Sequence, residues 1–345
     1  MLPQLKLHIK NMLRRIRSHS TIASQSINMP VYHHADYTLV LPDAHTFPMA
    51  RYNLVHQGLR KKAKKCGIEI RSPIPSTKEQ VALAHDVEYI NKFTTGQLDA
   101  MEVRTLGFPW SYDLVRRTYR ITGATVQCIH NVCSDGYDVA GNLAGGTHHA
   151  FAAHAEGYCI FNDVAVAARV AQEEYQVGKC LVIDLDVHQG NGTAEIFTND
   201  ETVFTWSVHG DKNYPWKSRV ASNLDTPLPD DVTGDEYLDE VEKGLTYLEN
   251  NVQDYDIVFY QAGVDPLSYD RLGRLNLTRE DLQSRNALVY SWCEAHNKKC
   301  VVTMGGGYSR PIEKSVACHI DVFEQASKIL GQKREPSPCL SRRRG

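Results

Sequence analysis

Short runs of consecutive apolar residues alternate along this chain with segments whose apolar positions recur every three or four residues. Four runs are rich in β-branched residues: CLVIDLD at 180–186, TVFTWSV at 202–208, DIVFYQA at 256–262 and CVVTMGG at 300–306. Apolar runs of this length read as strands buried on both faces. Helical patterns lie between and beyond them. Asn162 stands where a cap would serve a helix through Val164, Ala167, Ala168 and Ala171. Residues 234–251 place Tyr237, Leu238, Val241, Leu245 and Leu248 on one helical face. Thr278-Arg-Glu-Asp281 spells a capping box ahead of Leu282, Leu288 and Trp292, and Pro311 suits the first turn of another helix. This alternation predicts an α/β protein with one parallel sheet covered by helices on both faces. No linker or internal repeat interrupts residues 31–330, so a single domain is expected there.

In such sheets ligands gather outside the carboxyl ends of the strands. The residues at or just after the ends of the four runs are Asp186 and His188, His209, Asp265, and Gly305-Gly-Gly-Tyr308. The stretch DLDVHQGN (184–191) puts two carboxylates and an imidazole on every second residue behind an apolar run. If the extended geometry persists, Asp184, Asp186 and His188 share a side. Burying such charge is costly unless a cation compensates it. Asp186, His188 and Asp265 would then be ligands of one divalent ion with a position open for water, and Asp184 a supporting group. Two carboxylates and one imidazole suit Zn²⁺, and Fe²⁺ is chemically acceptable. Read alone, a D-x-D-x-H stretch has a polar loop as its lesser alternative, and the AGVDP around Asp265 reads reasonably as a turn.

Two further features bear on chemistry. GGTHHA (145–150) places His148 and His149 after two glycines, and GYCIFND (157–163) follows closely. A hydrolase needs a base and an acid near neutral pH, and histidine serves both roles. Tyr308 follows three glycines, which let backbone approach closely, so its phenol could reach a substrate carbonyl. The plain alternative is a glycine turn with a packing tyrosine.

Composition narrows the class. The 345 residues are 42% hydrophobic and 23% charged with a formal net charge of −3, an ordinary globular balance that gives no global attraction to nucleic acid or anionic membrane. No apolar run is long enough for a transmembrane helix. The nine cysteines form no C-x-x-C pair and are odd in number, against a disulfide framework. The basic stretch RKKAKK (60–65) reads as a solvated helix face rather than a nucleic-acid contact. Residues 1–29 are set apart: they contain no Asp or Glu, and Lys6, Lys10, Arg14 and Arg17 oppose a stripe of Leu5, Ile9, Met12, Leu13 and Ile16. Such an amphipathic, Arg- and Ser-rich extension resembles a mitochondrial transit peptide; a basic tail in the cytoplasm or nucleus, or a membrane-surface helix, is the alternative. Residues 331–345 read as a basic disordered tail.

The motifs GGTHHA, GYCIFND, DLDVHQGNGT, AGVDPLSYDRLGRLNLT and GGGYS, preceded by HTFPMARY (45–52) and AHDVEYI (84–90), resemble in order and spacing the histone deacetylase family over about residues 31–330. Gln189 and Asn191 resemble the bacterial-type and class IV branches, where class I members carry His and Asp. The resemblance implies an arginase/deacetylase-type α/β fold and a zinc-dependent amidohydrolase that removes acetyl or longer acyl groups from lysine. It implies Asp186, His188 and Asp265 as metal ligands, His148 steadied by Asp184, and His149 beside Asn191. The histidine pair would serve as proton donor and acceptor, and Tyr308 would stabilise the oxyanion. Gly157, Tyr158 and Tyr214 would line the acyl-lysine tunnel, with Arg51 at its inner end. A structural K⁺ would lie near Asp184, Asp186, His188 and Ser207. The implied partner is an acyl-lysine protein or an acetylated small amine, with oligomeric state open. Three other readings share these residues: an acetylpolyamine amidohydrolase, a two-manganese ureohydrolase, and an inactive deacetylase-like binding protein. Leu267, two residues after Asp265, argues against a second metal, because a bridging pair needs a carboxylate there.

Overall fold

The computed structural model describes residues 28–252 and 254–331. The expectations for the N-terminal extension up to residue 27 and for the tail beyond 331 lie outside the described residues. The strands are β1 (Met29–Tyr32), β2 (Ile68–Arg71), β3 (Val139–Asn142), β4 (Cys180–Asp184), β5 (Val203–Gly210), β6 (Leu224–Leu228), β7 (Ile257–Gln261) and β8 (Lys299–Thr303). They form one eight-stranded sheet in the order β2-β1-β3-β8-β7-β4-β5-β6, and every pairing is parallel. The central strands β4 and β7 are buried at every position, which explains their unbroken apolar runs. The principal helices are α1 (Arg51–Cys66), α2 (Tyr112–Cys133), α3 (Asp163–Tyr175), α4 (Asn191–Ile196), α5 (Gly234–Asn251), α6 (Arg279–Ala295) and α7 (Ile312–Leu330). They pack as two separate sets, α1, α5, α6 and α7 on one side and α2, α3 and α4 on the other.

Local chemistry starts these helices where the sequence predicts. Asn162 Oδ1 accepts from the N–H of Ala165, and Thr278 with Asp281 forms a reciprocal capping box. Caps of this kind contribute about 1 kcal/mol each. Pro311 sits one residue outside the first turn, as the N-cap of α7. The basic stretch 60–65 lies on α1 with its lysines exposed and Lys62 paired to Glu324 at 2.8 Å. All eight described cysteines are free thiols. No described helix is long and apolar enough to cross a membrane.

Parallel strands all end on the same side. β4 and β7 are neighbours and β8 adjoins β7, so the loops after residues 184, 261 and 303 meet above one stretch of sheet. The site is built there.

Candidate active site

β4 ends at Asp184, short of the predicted residue 186, so strand alternation is not what aligns the acidic motif. A bend does it instead. The N–H of Asp186 donates to Asp184 Oδ1 (3.1 Å), and the N–H of His188 donates to Asp186 Oδ1 (3.0 Å). Each carboxylate thus fixes the backbone that presents the next polar side chain. Asp265 arrives from the loop after β7, and its Oδ1 accepts the N–H of Val187 (2.9 Å). The ligating atoms of Asp186, His188 and Asp265 all lie within 4.8 Å of one another, and all three residues are buried. Gly306 makes room for them: a Cβ there would stand 1.9 Å from Asp265 Oδ2, while its N–H donates to Asp186 Oδ2 (2.6 Å).

These residues fit a divalent cation. Asp265 Oδ2 is buried without a hydrogen-bond partner, although it lies 3.1 Å from His188 Nδ1. Burial, and then the charge of Asp186, push the Asp265 carboxyl up to about 7. For His188, burial disfavours the charged ring, but Asp265 and Asp186 outweigh it and hold the imidazole well above its ordinary range. Two buried carboxylates this close therefore draw positive charge to one point, which is what a cation site requires. Among the described residues this is the one such group of His, Cys, Asp or Glu.

The adjacent histidines have their rings 4.0 Å apart, yet they are held differently. His148 Nδ1 donates to Asp184 Oδ2 at 2.7 Å, and its Nε2 lies 3.9 Å from Asp186 Oδ1. Burial pushes His148 down, but Asp184 and Asp186 outweigh it and raise it above the ordinary value. His149 Nδ1 lies 2.7 Å from Asn191 Oδ1. Burial, then the neighbouring His148 and His188, push His149 well below the ordinary value. Their surroundings thus drive two neighbouring imidazoles in opposite directions.

Tyr308 stands at the end of the glycine loop, its N–H donating to Asp270 Oδ2 (2.6 Å) and its ring 6.3 Å from that of His188. Burial pushes its phenol well above the ordinary value, so it remains a donor. Arg51, buried at the start of α1, donates to the carbonyl of Gly307 (2.9 Å) and to the Tyr52 hydroxyl (3.1 Å). A cavity is lined by Arg51, His148, His149, Gly157, Asp186 and Tyr308, among others. His149, Gly157, Tyr158, His188 and Tyr308 also line an outer opening that adds Tyr214, Leu272 and Arg104. Gly157 allows the wall to approach, since a Cβ would stand 2.8 Å from His149 Cδ2 at φ +55°. Tyr214 packs edge-on against His149 with centroids 5.0 Å apart.

The structure thus brings together every residue expected at the metal, the histidine pair, the phenol and the tunnel. His209, grouped with the rim by strand position, turns away: it is buried, bonded to Ser207 Oγ (3.0 Å), and absent from the cavity lining. A polyamine site would favour extra carboxylates at its mouth, and the possible ones, Asp135 and Asp211, do not line this opening: Asp135 accepts from Asn131 (2.8 Å) and Asp211 pairs with Arg219 (3.1 Å). Sequence reasoning missed Glu156, Ser218 and Asp270. Glu156 directly precedes Gly157, and Asp270 lies inside AGVDPLSYDRLG, so position within the motifs was the available signal. Burial pushes the Glu156 carboxyl up, but hydrogen bonds from His154, Ser218, Tyr214 and Asn191 outweigh it and hold it at about 2.

Comparison with known structures places this architecture in a class. The HDA15 HD domain superposes with a TM-score of 0.72 at 23% identity, covering 88% of this chain and 94% of that one. An acetylpolyamine aminohydrolase from Burkholderia pseudomallei superposes with a TM-score of 0.70 at 20% identity, covering 87% and 99%. The fold is therefore that of the arginase/deacetylase class. At the sequence level, an uncharacterized protein of Picosynechococcus sp. is 38% identical over 85% of this chain and 96% of its own length. The histone deacetylase-like amidohydrolase of Pseudomonas aeruginosa is 26% identical over 78% of this chain and 73% of its own length. The histone deacetylase domain matches residues 45–323, and the chain belongs to that family. It is a hydrolase acting on amide bonds, from a family that generally uses a divalent metal.

Proposed function

We propose that this protein is a zinc-dependent deacylase that removes acetyl or longer acyl groups from the Nε-amine of lysine in histones or other proteins. One observation carries the reading: three buried ligating atoms within 4.8 Å of one another, in a cavity that His148, His149 and Tyr308 also line. Asp186, His188 and Asp265 would hold the ion; Zn²⁺ suits this donor set, and Fe²⁺ is an acceptable substitute. When bound, such an ion polarises an amide carbonyl and makes water a usable nucleophile near neutral pH. The chain's own groups supply the proton transfers and the charge. Asn191 accepts the Nδ1 proton of His149, which leaves Nε2 as a neutral base to take a proton from the attacking water. His148, which Asp184 holds and, against burial, raises above its ordinary value, is the member of the pair suited to donate a proton. The Tyr308 O–H donates to the developing oxyanion, a contact of about 3–4 kcal/mol in the transition state. The C–N bond breaks as the histidine pair returns a proton to the amine, leaving carboxylate and free lysine. A monovalent cation beside Asp184, Asp186, His188 and Ser207 belongs to the same proposal, supported by the pairing of Asp184 with Ser207 across β4 and β5.

The mouth favours acyl-lysine over acetylpolyamine. Its lining includes Arg104 and no carboxylate, which repels rather than recruits a polycationic amine. Leu267, buried in the core at 3% exposure, offers no oxygen for a second manganese. The test is turnover of a fluorogenic acetyl-lysine peptide by enzyme loaded with defined metal, beside longer acyl peptides and acetylpolyamines. One metal per chain, and loss of turnover with chelator and with Tyr308→Phe, are expected. Two metals, or turnover of acetylpolyamines alone, would overturn the reading, and no turnover of any of these would favour an inert binding protein. For location we propose the mitochondrion, on the pattern of residues 1–29; a reporter fused to residues 1–30 that stays in the cytoplasm or nucleus would refute this.

A further inference from the structure

His149 is the proton acceptor in the reading above, yet no carboxylate touches it directly. Its partner Asn191 is neutral, and an amide presents either an oxygen or an NH₂ group depending on how it is turned. The surroundings settle which. Asn191 Nδ2 lies 3.1 Å from Glu156 Oε1, 3.0 Å from the carbonyl of Ser218 and 3.3 Å from Ser218 Oγ. A carboxylate and a carbonyl can only accept, so the NH₂ must face them, and the oxygen must face His149. His149 Nδ1 must then carry its proton, and Nε2 keeps its lone pair. Glu156 is itself held firmly: it is 7% exposed, and Oε1 also accepts from Tyr214 (2.5 Å) and Ser218 Oγ (2.6 Å).

We propose that Glu156 is a positioning residue for catalysis, acting through Asn191 to fix the tautomer and orientation of His149. The arrangement divides between two residues what one aspartate does for a histidine elsewhere: the amide oxygen receives the ring N–H, and the anion stands one link behind. The same carboxylate ties down the Tyr214 hydroxyl, whose ring packs on His149, so the base and one tunnel wall share an anchor. Because Asn191 opens α4 and Glu156 precedes the tunnel glycine Gly157, the link also joins two segments that are remote in sequence.

The inference rests on the amidohydrolase reading for its kinetic test, but not for its spectroscopic one. On metal-loaded full-length protein, Glu156→Ala is expected to lower kcat about 30-fold with KM changed less than about threefold, since losing the orienter of a base costs rate rather than binding. Asn191→Asp alone sets two carboxylates side by side and is expected to cost about tenfold. The exchange Glu156→Gln with Asn191→Asp restores an amide facing a carboxylate, with an oxygen still toward His149. It is expected to return to within about threefold of wild type, far from additive. Additive losses in the exchange, or a Glu156→Ala enzyme within about twofold of wild type, would overturn the proposal. Since the exchange conserves volume and net charge, it remains decisive even if Glu156→Ala fails to fold. Independently of turnover, spectra of ¹⁵N-histidine protein should show His149 protonated at Nδ1 in wild type and in the exchange, and a mixed tautomer in Glu156→Gln. Wild-type protein with no turnover but with this tautomer pattern would leave the positioning role standing while removing the amidohydrolase reading. A tautomer unmoved in Glu156→Gln would remove the role itself.

Discussion

The floor and the wall of the cavity each hold one histidine of the pair, by different means. On the floor, His148 meets Asp184 directly, and Asp184 is the last residue of a strand buried on both faces. On the wall, His149 meets Asn191, which leans on Glu156 and Ser218, residues of two different loops. The floor is stiff because neighbouring strands clamp β4 on both edges. The wall depends on hydrogen bonds between segments that no ladder joins. The difference sets the chemistry: a direct carboxylate lifts one imidazole, and a neutral amide leaves its neighbour lowered by burial and by the rings around it. One geometry favours the charged imidazole and the other the neutral one.

The floor should break hardest. Asp265→Ala removes one of the two proposed ligand carboxylates, and metal content measured by elemental analysis is expected to fall from one ion per chain to almost none, with turnover at background. Tyr308→Phe leaves the floor intact and removes one donor, so metal content should hold while kcat falls on the order of 10²–10³-fold. If both variants retain metal and rate, the floor is not the reacting centre.

The wall offers smaller effects. Asn191→Asp places an anion beside His149 and raises its pKa. Since the base must be neutral, the acid limb of the kcat/KM profile should move to higher pH, and an unmoved limb would contradict the assignment of His149 as base. Tyr214→Phe deletes one of the donors to Glu156 and is expected to change kcat/KM by less than about tenfold, chiefly through the tunnel wall. The smallest effect is on stability. The Glu156 carboxyl is depressed from an ordinary 4.5 to about 2, so its contribution is fully present above 4.5 and is lost as pH falls toward 2. Acid unfolding of Glu156→Gln should lack that component, and identical acid titrations of the two proteins would contradict it.

Much of the floor was legible before any coordinates. The runs that became β4, β5, β7 and β8 are mostly apolar and almost wholly buried because both faces of the sheet are covered, and such runs are conspicuous. The candidate metal ligands followed from the rule that parallel strands deliver their loops to one end. The other strands left weaker marks. β1, β2 and β3 are four residues long, β2 is partly exposed at the sheet edge, and β6 carries Pro227, tolerable because β6 is the opposite edge.

The fold class, the candidate ligands Asp186, His188 and Asp265, the histidine pair and Tyr308 were all readable from residue order, since each rides on a periodic pattern or a contiguous motif. Only the tertiary structure decided that a bend, not strand alternation, turns Asp186 and His188 together, that His209 faces away, and that Glu156 stands behind Asn191. The physical reason is common to all three. Periodicity reports which face of an element is buried, whereas a hydrogen bond between Glu156 and Asn191 depends on where a loop and a helix start 35 residues apart come to rest.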